Sequence, residues 1–590
     1  MNYNSFFTDK NLILILCKYR ANAANKRHEK HMLRNVSLHK RTNKILSSEE
    51  DTEFKELRDL FPTRSQWIQL NESERKSCNN SIEINKLRLY KSYVKTKENI
   101  KNGSISPIWY DNLLDYIKSI RTIIFNIENS NYQISRPEIR GIKKKMKGDV
   151  LICRPIALYT IKDKIICSLT AKYLTHFFEC AFLDCSYAFR AKNKFNEIPT
   201  HHHCIEEILK IRKKEKTLWV AECDIQKFFD TVQHEYLLKV FDELLLKIES
   251  KESLVLDSKA KKIFKLFLSS FSFQEDILKL NDNPDWFKSR GLPNGNFDWV
   301  ENDLNKKFGD NYTSSYKIGV PQGNAISCFI SNLILHNVDE KVYSHQPDVF
   351  YLRYCDDMVL MHNNENTTME TLKVFMEELH NNFLLYHKPK KTINYKEKIN
   401  SLKFWDSKSK EPFYWGNKHL HEDNVPWVSF VGYQVDFHGR IRVRKATLRK
   451  ETKKQTATAQ KLLKSLGKLK EKDIIKDESS RMSINQIVSS LQQRLISMSV
   501  GRINVLNHKK PEEQALCWTN GFKKLSKNKI TSQQLKYLDR RRKTQLIRIP
   551  FELKAIKKRI IRKPKVKKTL DEKTFKGAAH SYFNFLKYKI

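Results

Sequence analysis

Asp356 and Asp357 stand side by side in YLRYCDDMVLMH (residues 351–362), with Leu352 and Tyr354 before them and Val359 and Leu360 after. Two carboxylates next to strand-like segments that favour burial raise each other's cost of ionisation. A divalent cation removes that cost, because oxygen ligands converging on it cancel the repulsion. A solvated Asp-Asp hairpin turn is the other reading, since Asp is a common turn former. A third acid, Asp224, ends the apolar run LWVAEC and begins DIQKFFD (224–230). Two-metal phosphoryl transfer needs carboxylates from different strand ends. They hold two cations about 3.5–4 Å apart, one activating the attacking hydroxyl and one the leaving pyrophosphate. An acid at one strand end and a pair at a hairpin apex supply that geometry if the strands are neighbours. Glu222 is the alternative local acid but lies within the strand, and Asp230 reads as a structural helix residue.

The elements that must position these acids follow from the pattern. LWVAEC starts as an apolar strand and leads into a helix-like stretch. YKIGVPQGNAISCFISNLILHNVDEKV (316–342) is a loop with Pro321 and Gly323, followed by a helix whose Ile326, Ile330, Leu333, Ile334 and Val338 keep a 3.6-residue period. The hairpin comes next, then a helix over 366–386 and a strand over 427–437, WVSFVGYQVDF. Residues 250–315 are polar and irregular and read as an insertion or long connection. The first 105 residues are basic and mostly helical, with Phe54, Leu57 and Phe61 on one face of SSEEDTEFKELRDLF. Beyond 440 the pattern is again helical and basic. SINQIVSSLQQRLISMSVG (483–501) opens on a Ser483–Gln486 capping box and ends at Gly501. The run ELKAIKKRIIRKPKVKK (552–568) suits contact with a phosphate backbone, with a solvated tail as the alternative.

Charge narrows the class of partner. The chain has 109 Lys and Arg against 67 Asp and Glu, a net +42 over 590 residues, which suits a polyanion. The longest N-terminal apolar run, LILILC (12–17), is far too short to span a bilayer, so nucleic acid is favoured over a membrane surface. The length predicts two to four domains. Eleven cysteines without a CxxC pair suggest reduced thiols in a cytoplasmic protein. HHHC (201–204) tempts a zinc reading, but no second ligand cluster at finger-like spacing follows.

Seven short motifs in order carry a resemblance. DIQKFF, GVPQGNAIS, YCDD, KPKKT and FVGY follow the order and approximate spacing of reverse transcriptase palm motifs A to E. Upstream, RPIALYTIKDKI and SYAFRAKNK resemble the two fingers motifs of group II intron reverse transcriptases and their bacterial relatives. The similarity spans about 140 to 450, with LDRRRK (538–543) as a candidate extension. Cys355 departs from the Ala frequent in intron and retron enzymes, and the proline usual after Ser327 is missing. With neither a His-rich nuclease motif nor an acidic ribonuclease H cluster after the thumb, the chain looks most like the stand-alone bacterial reverse transcriptases of phage defence.

The resemblance implies an α+β right-hand polymerase. Its expected parts are a basic helical extension (1–105), fingers (106–200), a ferredoxin-like palm (201–437), a helical thumb (438–550) and a basic tail (551–590). It implies that Asp224, Ile225, Asp356 and Asp357 hold two Mg²⁺ ions, with Lys391 as proton donor to pyrophosphate. Arg154 matches the position that grips the triphosphate of a deoxynucleoside triphosphate; Arg190 is either a second such residue or a structural ion-pair partner. Phe229 matches a steric gate against the 2′-hydroxyl, with a core phenylalanine as the alternative. Gln322 and Gly323 match the motif B loop, and Phe430, Val431, Gly432 and Tyr433 match the primer grip. The implied partners are an RNA template, such as a structured noncoding RNA, a DNA product, and a partner protein or second copy. A group II intron maturase, a non-catalytic RNA-binding relic and an RNA-dependent RNA polymerase are the rivals.

Overall fold

The computed structural model describes residues 2–36, 52–78, 81–192, 197–252, 254–391, 403–416, 427–466, 484–500, 518–526 and 528–560. The chain divides into two compact units. The first comprises Met1–Asn11, Lys118–Val431 and Val435–Gly439; the second comprises Leu12–Ile117, Gly432–Gln434 and Arg440–Ile590.

In the first unit the strands are β1 (Glu138–Lys147), β2 (Val150–Leu158), β3 (Thr217–Asp224), β4 (Gly295–Phe297), β5 (Phe350–Tyr354), β6 (Asp357–His362) and β7 (Lys410–Gly416). They form two sheets, ordered β1-β2-β4 and β5-β6-β3-β7. In the second sheet β3 runs antiparallel to both β6 and β7, and β5 antiparallel to β6. Helix Glu365–Asn381 covers β3, β6 and β7. It starts where the Asn364 side chain accepts from the Thr367 amide, and it turns Leu372, Phe375 and Leu379 inward. Helix Ala325–His345 packs against it and against helices Ile161–Phe177 and His234–Glu252. With neighbours on several sides, it buries Ile326, Phe329, Ile330, Leu333, Leu335, Val338 and Val342 almost all round, as an apolar helix must.

Residues 250–315 are not the irregular connection expected. They contain helices Ser258–Ser269, Pro284–Ser289 and Glu301–Phe308, and β4 joins β2 in parallel. Asp257 caps the first helix, and Ile263, Phe264, Phe267 and Leu268 give it a buried face. Polar residues between short elements hid this periodicity. The strand expected over 427–437 is two strands, Trp427–Phe430 and Tyr433–Asp436, broken where Val431 and Gly432 take φ of 41° and 88°. The helix expected over 366–386 stops at Asn381, ahead of Phe383 at φ 57°.

The second unit is largely helical. Trp67 is a core anchor: its indole N–H donates to the Pro62 carbonyl, and the guanidinium groups of Arg20 and Arg88 lie 5.1 and 5.8 Å from its ring. Leu12, Ile13, Leu16 and Cys17 of the expected apolar run are buried on the helix that begins at Asp9. Helices Lys445–Leu466, Ile484–Val500 and Lys529–Ile560 pack on one another. The Ser483 cap, Gly501 and residues 561–590 of the basic tail lie outside the described residues. No helix among the described residues is long and apolar enough to cross a membrane.

The four-stranded sheet buries an ion pair inside its own ladder. Glu222 Oε2 and Lys410 Nζ lie 2.5 Å apart, both side chains under 10% exposed. Breaking such a pair leaves an uncompensated buried charge. Lys410→Met should therefore cost about 3–5 kcal/mol of stability, and Glu222→Leu on top of it should restore most of that loss. Urea unfolding of the two variants checks this. A double variant no more stable than Lys410→Met alone would show that Glu222 does more than pair with Lys410.

Candidate active site

The acids meet through strand register. Asp224, the last residue of β3, lies directly opposite Asp357, the first of β6. Tyr354 pairs with Asp357 across the β5–β6 hairpin, leaving Cys355 and Asp356 as a two-residue turn. Such turns need positive φ, and Cys355 supplies it at 60°. Asp357 is exposed, whereas Asp224 and Asp356 are part-buried. Burial first, and then the Asp224 charge, raises the Asp356 carboxyl above its ordinary range.

A buried network holds this turn. Arg353, on β5, is 1% exposed and donates from Nε and Nη2 to both carboxylate oxygens of Asp339, at 2.6–3.2 Å. Its Nη1 reaches the Cys355 carbonyl at 3.2 Å and Asn332 Oδ1 at 3.3 Å. The Tyr351 hydroxyl donates to Asp339 at 2.6 Å, and Ser186 donates to Asn332 at 2.9 Å. The left-handed backbone of Cys355 is thus tied through Arg353 to the helix Ala325–His345. The sequence signal was an arginine inside an apolar strand, where a lone charge has to find a partner.

Asp224 is also surrounded. Its amide donates to Ser409 Oγ at 2.9 Å, and its carbonyl accepts from the His387 amide at 2.9 Å. Lys408 forms an ion pair with its carboxylate, and His387 Nε2 lies 3.4 Å from the same oxygen. Lys391 is exposed beside Lys390, whose amide is tied to the Ser409 carbonyl; the lysine in contact with Asp224 is Lys408. No local pattern marks Lys408, because it reaches Asp224 only through the non-local pairing of β7 with β3.

Phe228 and Phe229 part ways. Phe228 is buried and Phe229 partly exposed, their rings meeting edge to face at 5.1 Å. The Phe229 carbonyl accepts from the Val320 amide at 2.8 Å, which joins the motif A turn to the GVPQG loop. Gln322 donates from Nε2 to buried Asp230 at 2.6 Å, so Asp230 is structural, as expected. Gly323 is exposed at φ 105°, a conformation that suits glycine. Arg154 is exposed on β2, while Arg190 is buried and paired. Arg190 donates from Nε to Glu179 at 2.8 Å and from its other nitrogens to the carbonyls of Phe182, Leu183 and Ser186. It is thus placed as the structural ion-pair partner, and the substrate contact expected of it is corrected. Phe430 and Tyr433 are buried, leaving Val431 and Gly432 as the accessible part of the FVGY turn. In HHHC, His203 Nδ1 accepts from the Thr200 amide at 3.3 Å, a helix-capping role.

No group of three or more His, Cys, Asp or Glu side chains poised around one cation is present among the described residues. Lys408, an ammonium resting on Asp224, shows that this carboxylate accepts a cation. Ile225 has a buried side chain without a donor atom, so only its main chain could serve a metal.

Residues 142–433 match the family described as reverse transcriptase (RNA-dependent DNA polymerase). The chain carries a reverse transcriptase domain. It is therefore an RNA-directed DNA polymerase, a nucleotidyltransferase; domains of this kind generally use divalent metal ions, and the mixed helix-and-sheet architecture is the α+β class expected of a right-hand polymerase. Among solved structures, a Candida albicans telomerase in complex with a fragment of telomeric RNA is 10% identical, with a TM-score of 0.30, over 89% of this chain and 78% of that one. An apo telomerase from Candida tropicalis, truncated from its C-terminal domain, is 14% identical, with a TM-score of 0.31, over 68% and 72%. No curated protein matches the sequence.

The two arginines should now behave differently. Arg190→Met strands the buried Glu179 carboxylate and should cost about 3–5 kcal/mol of stability. Arg154→Ala removes an exposed guanidinium and should leave the melting temperature unchanged while raising the KM for deoxynucleotide about tenfold, the worth of a charge-assisted contact. Melting curves and steady-state extension kinetics check both. An Arg154→Ala enzyme with unchanged KM would take Arg154 out of the nucleotide site.

Proposed function

We propose that this reverse transcriptase copies RNA into DNA by two-metal nucleotidyl transfer at Asp224 and Asp356, with Asp357 beside them and the main chain of Ile225 available. The observation that carries this reading is the register that sets Asp224 opposite Asp357 with Asp356 at the adjoining apex. Bound Mg²⁺ ions would supply Lewis-acid stabilisation of the attacking and leaving oxygens. The chain's own residues do the rest. Arg154 binds the triphosphate, Gln322 and Gly323 frame the base pair, Phe229 faces the sugar, and Val431–Gly432 holds the primer end. We further propose that the template is a structured noncoding RNA and the setting bacterial antiphage defence in the cytoplasm. That part is supported by the resemblance to the stand-alone bacterial enzymes, with an intron maturase as the rival. An intron flanking the gene at its locus favours the maturase, and sequencing the nucleic acid that copurifies with the protein identifies the template.

Two substitutions test the chemistry. Asp356→Asn should abolish synthesis while leaving RNA binding and melting intact, because removing a metal-holding charge raises the barrier by several kcal/mol. Synthesis within tenfold of wild type would remove Asp356 from the metal-holding set. Phe229→Val should raise ribonucleotide use relative to deoxynucleotide by on the order of 10- to 100-fold, about 1.4–2.8 kcal/mol of lost discrimination. Single-nucleotide extension on a primed RNA template with each sugar gives the ratio. If the ratio stays put, Phe229 is a packing residue.

A further inference from the structure

Lys227 lies between the strand that carries Asp224 and the short helix that carries Phe229, and its backbone is left-handed, at φ 55° and ψ 37°. A residue with a Cβ is disfavoured there, so something must hold it. The side chain is 15% exposed, and its ammonium donates to the Asp298 carbonyl at 2.6 Å. The same ammonium stands 3.5 Å from the Asp298 carboxylate and 3.9 Å from that of Asp230. Asp230 in turn accepts from Gln322. Next to Lys227, the Gln226 side chain donates to Asp303 at 3.2 Å.

Asp298 and Asp303 belong to the segment between motifs A and B, and that segment is anchored at its other end. β4 pairs in parallel with β2, with Phe297 opposite Cys153, the neighbour of Arg154. Asn281 exchanges hydrogen bonds with the Phe297 main chain at 2.8 and 3.0 Å, and Trp299 stacks on Phe273 with ring centres 4.3 Å apart. One short stretch, Gly295–Asp303, therefore joins the strand that presents Arg154 to the turn that presents Phe229.

We propose that Gly295–Asp303 is a brace and that Lys227 and Asp298 are positioning residues for sugar selection, acting through Phe229 and Gln322. The proposal rests on reading Phe229 as the residue that meets the sugar. An ordinary buried ion pair would alter stability alone. A brace alters how well the pocket discriminates.

The test is single-nucleotide extension on a primed RNA template with Lys227→Met and Asp298→Ala, kcat and KM being measured separately for deoxy- and ribonucleotide, alongside melting temperature. Lys227→Met should raise the deoxynucleotide KM about tenfold, with kcat within about threefold, and lower the deoxy-to-ribo preference about tenfold. Asp298→Ala keeps the carbonyl acceptor and should shift both quantities the same way by a smaller factor. Because Asp298 is partly exposed, it carries the test if Lys227→Met fails to fold. Amide exchange over residues 227–232 should be faster in Asp298→Ala, a readout independent of activity. Unchanged KM, preference and exchange in a folded variant overturn the brace while leaving the polymerase reading in place. Faster exchange with unchanged discrimination also overturns it, since the loosened turn would then not set the pocket. A wild-type protein that extends no primer overturns both.

Discussion

The register between β3 and β6 is the constraint on which the rest of the site depends. Side chains alternate faces with a period of two, so a slip of one residue would turn Asp357 and the rest of β6 away from their present partners. Val220, Ala221 and Cys223 on β3 and Met358, Val359, Leu360 and Met361 on β6 are all in the core, so the paired segment is buried on both faces. The hairpin leaves two residues for its turn, and that length demands a left-handed first residue. Cys355 meets the demand without being glycine, and the Arg353 guanidinium on its carbonyl helps to hold it.

Charges inside this unit come in matched sets. Arg353 with Asp339, Glu222 with Lys410 and Arg190 with Glu179 are each buried on both sides. Ion pairs of this kind contribute little net stability compared with apolar side chains of equal volume, but each becomes costly if one partner is lost. Their value here is geometric. Each ties one segment to a neighbouring element: the carboxylate turn to the helix Ala325–His345, β3 to β7, and the SYAFR segment to the end of the helix that precedes it.

The parts legible in the sequence were those written locally. The apolar run before Asp224, the split apolar run around Asp356 and the period of the helix after GVPQG each predicted the element observed. The parts not legible depend on non-local pairing or on backbone conformation. Lys408 is one lysine among many until β7 pairs with β3. Arg190 reads like any arginine in a motif until Glu179 and three carbonyls enclose it. The turn at Val431–Gly432 was hidden inside an apolar run because valine is rarely left-handed. The helices of 250–315 were missed because short, capped elements with polar outer faces carry few apolar repeats.

The cations around the acids bear on what the site accepts. Lys144 occupies the irregular step in the β1–β2 ladder, between Lys143, paired with Cys153, and Lys145, paired with Ile152. Its ammonium is pushed below the usual lysine range, first by burial and then by the charges of Lys227, Arg154 and Lys408. Lys227 and Lys408 have carboxylate partners in Asp298 and Asp224, whereas Lys144 and Arg154 add positive charge beyond that balance. Loss of solvent is the larger cause of that shift, and the like charges gathered nearby add to the cost of its charged form. An entering polyanion removes the cost, because it favours the protonated ammonium and pairs with the guanidinium. Asp224 and Asp356 repel one another for the opposite reason, and a divalent cation would relieve that repulsion. A ligand that brings phosphates and metal together relieves both at once, and a nucleoside triphosphate with its Mg²⁺ is such a ligand.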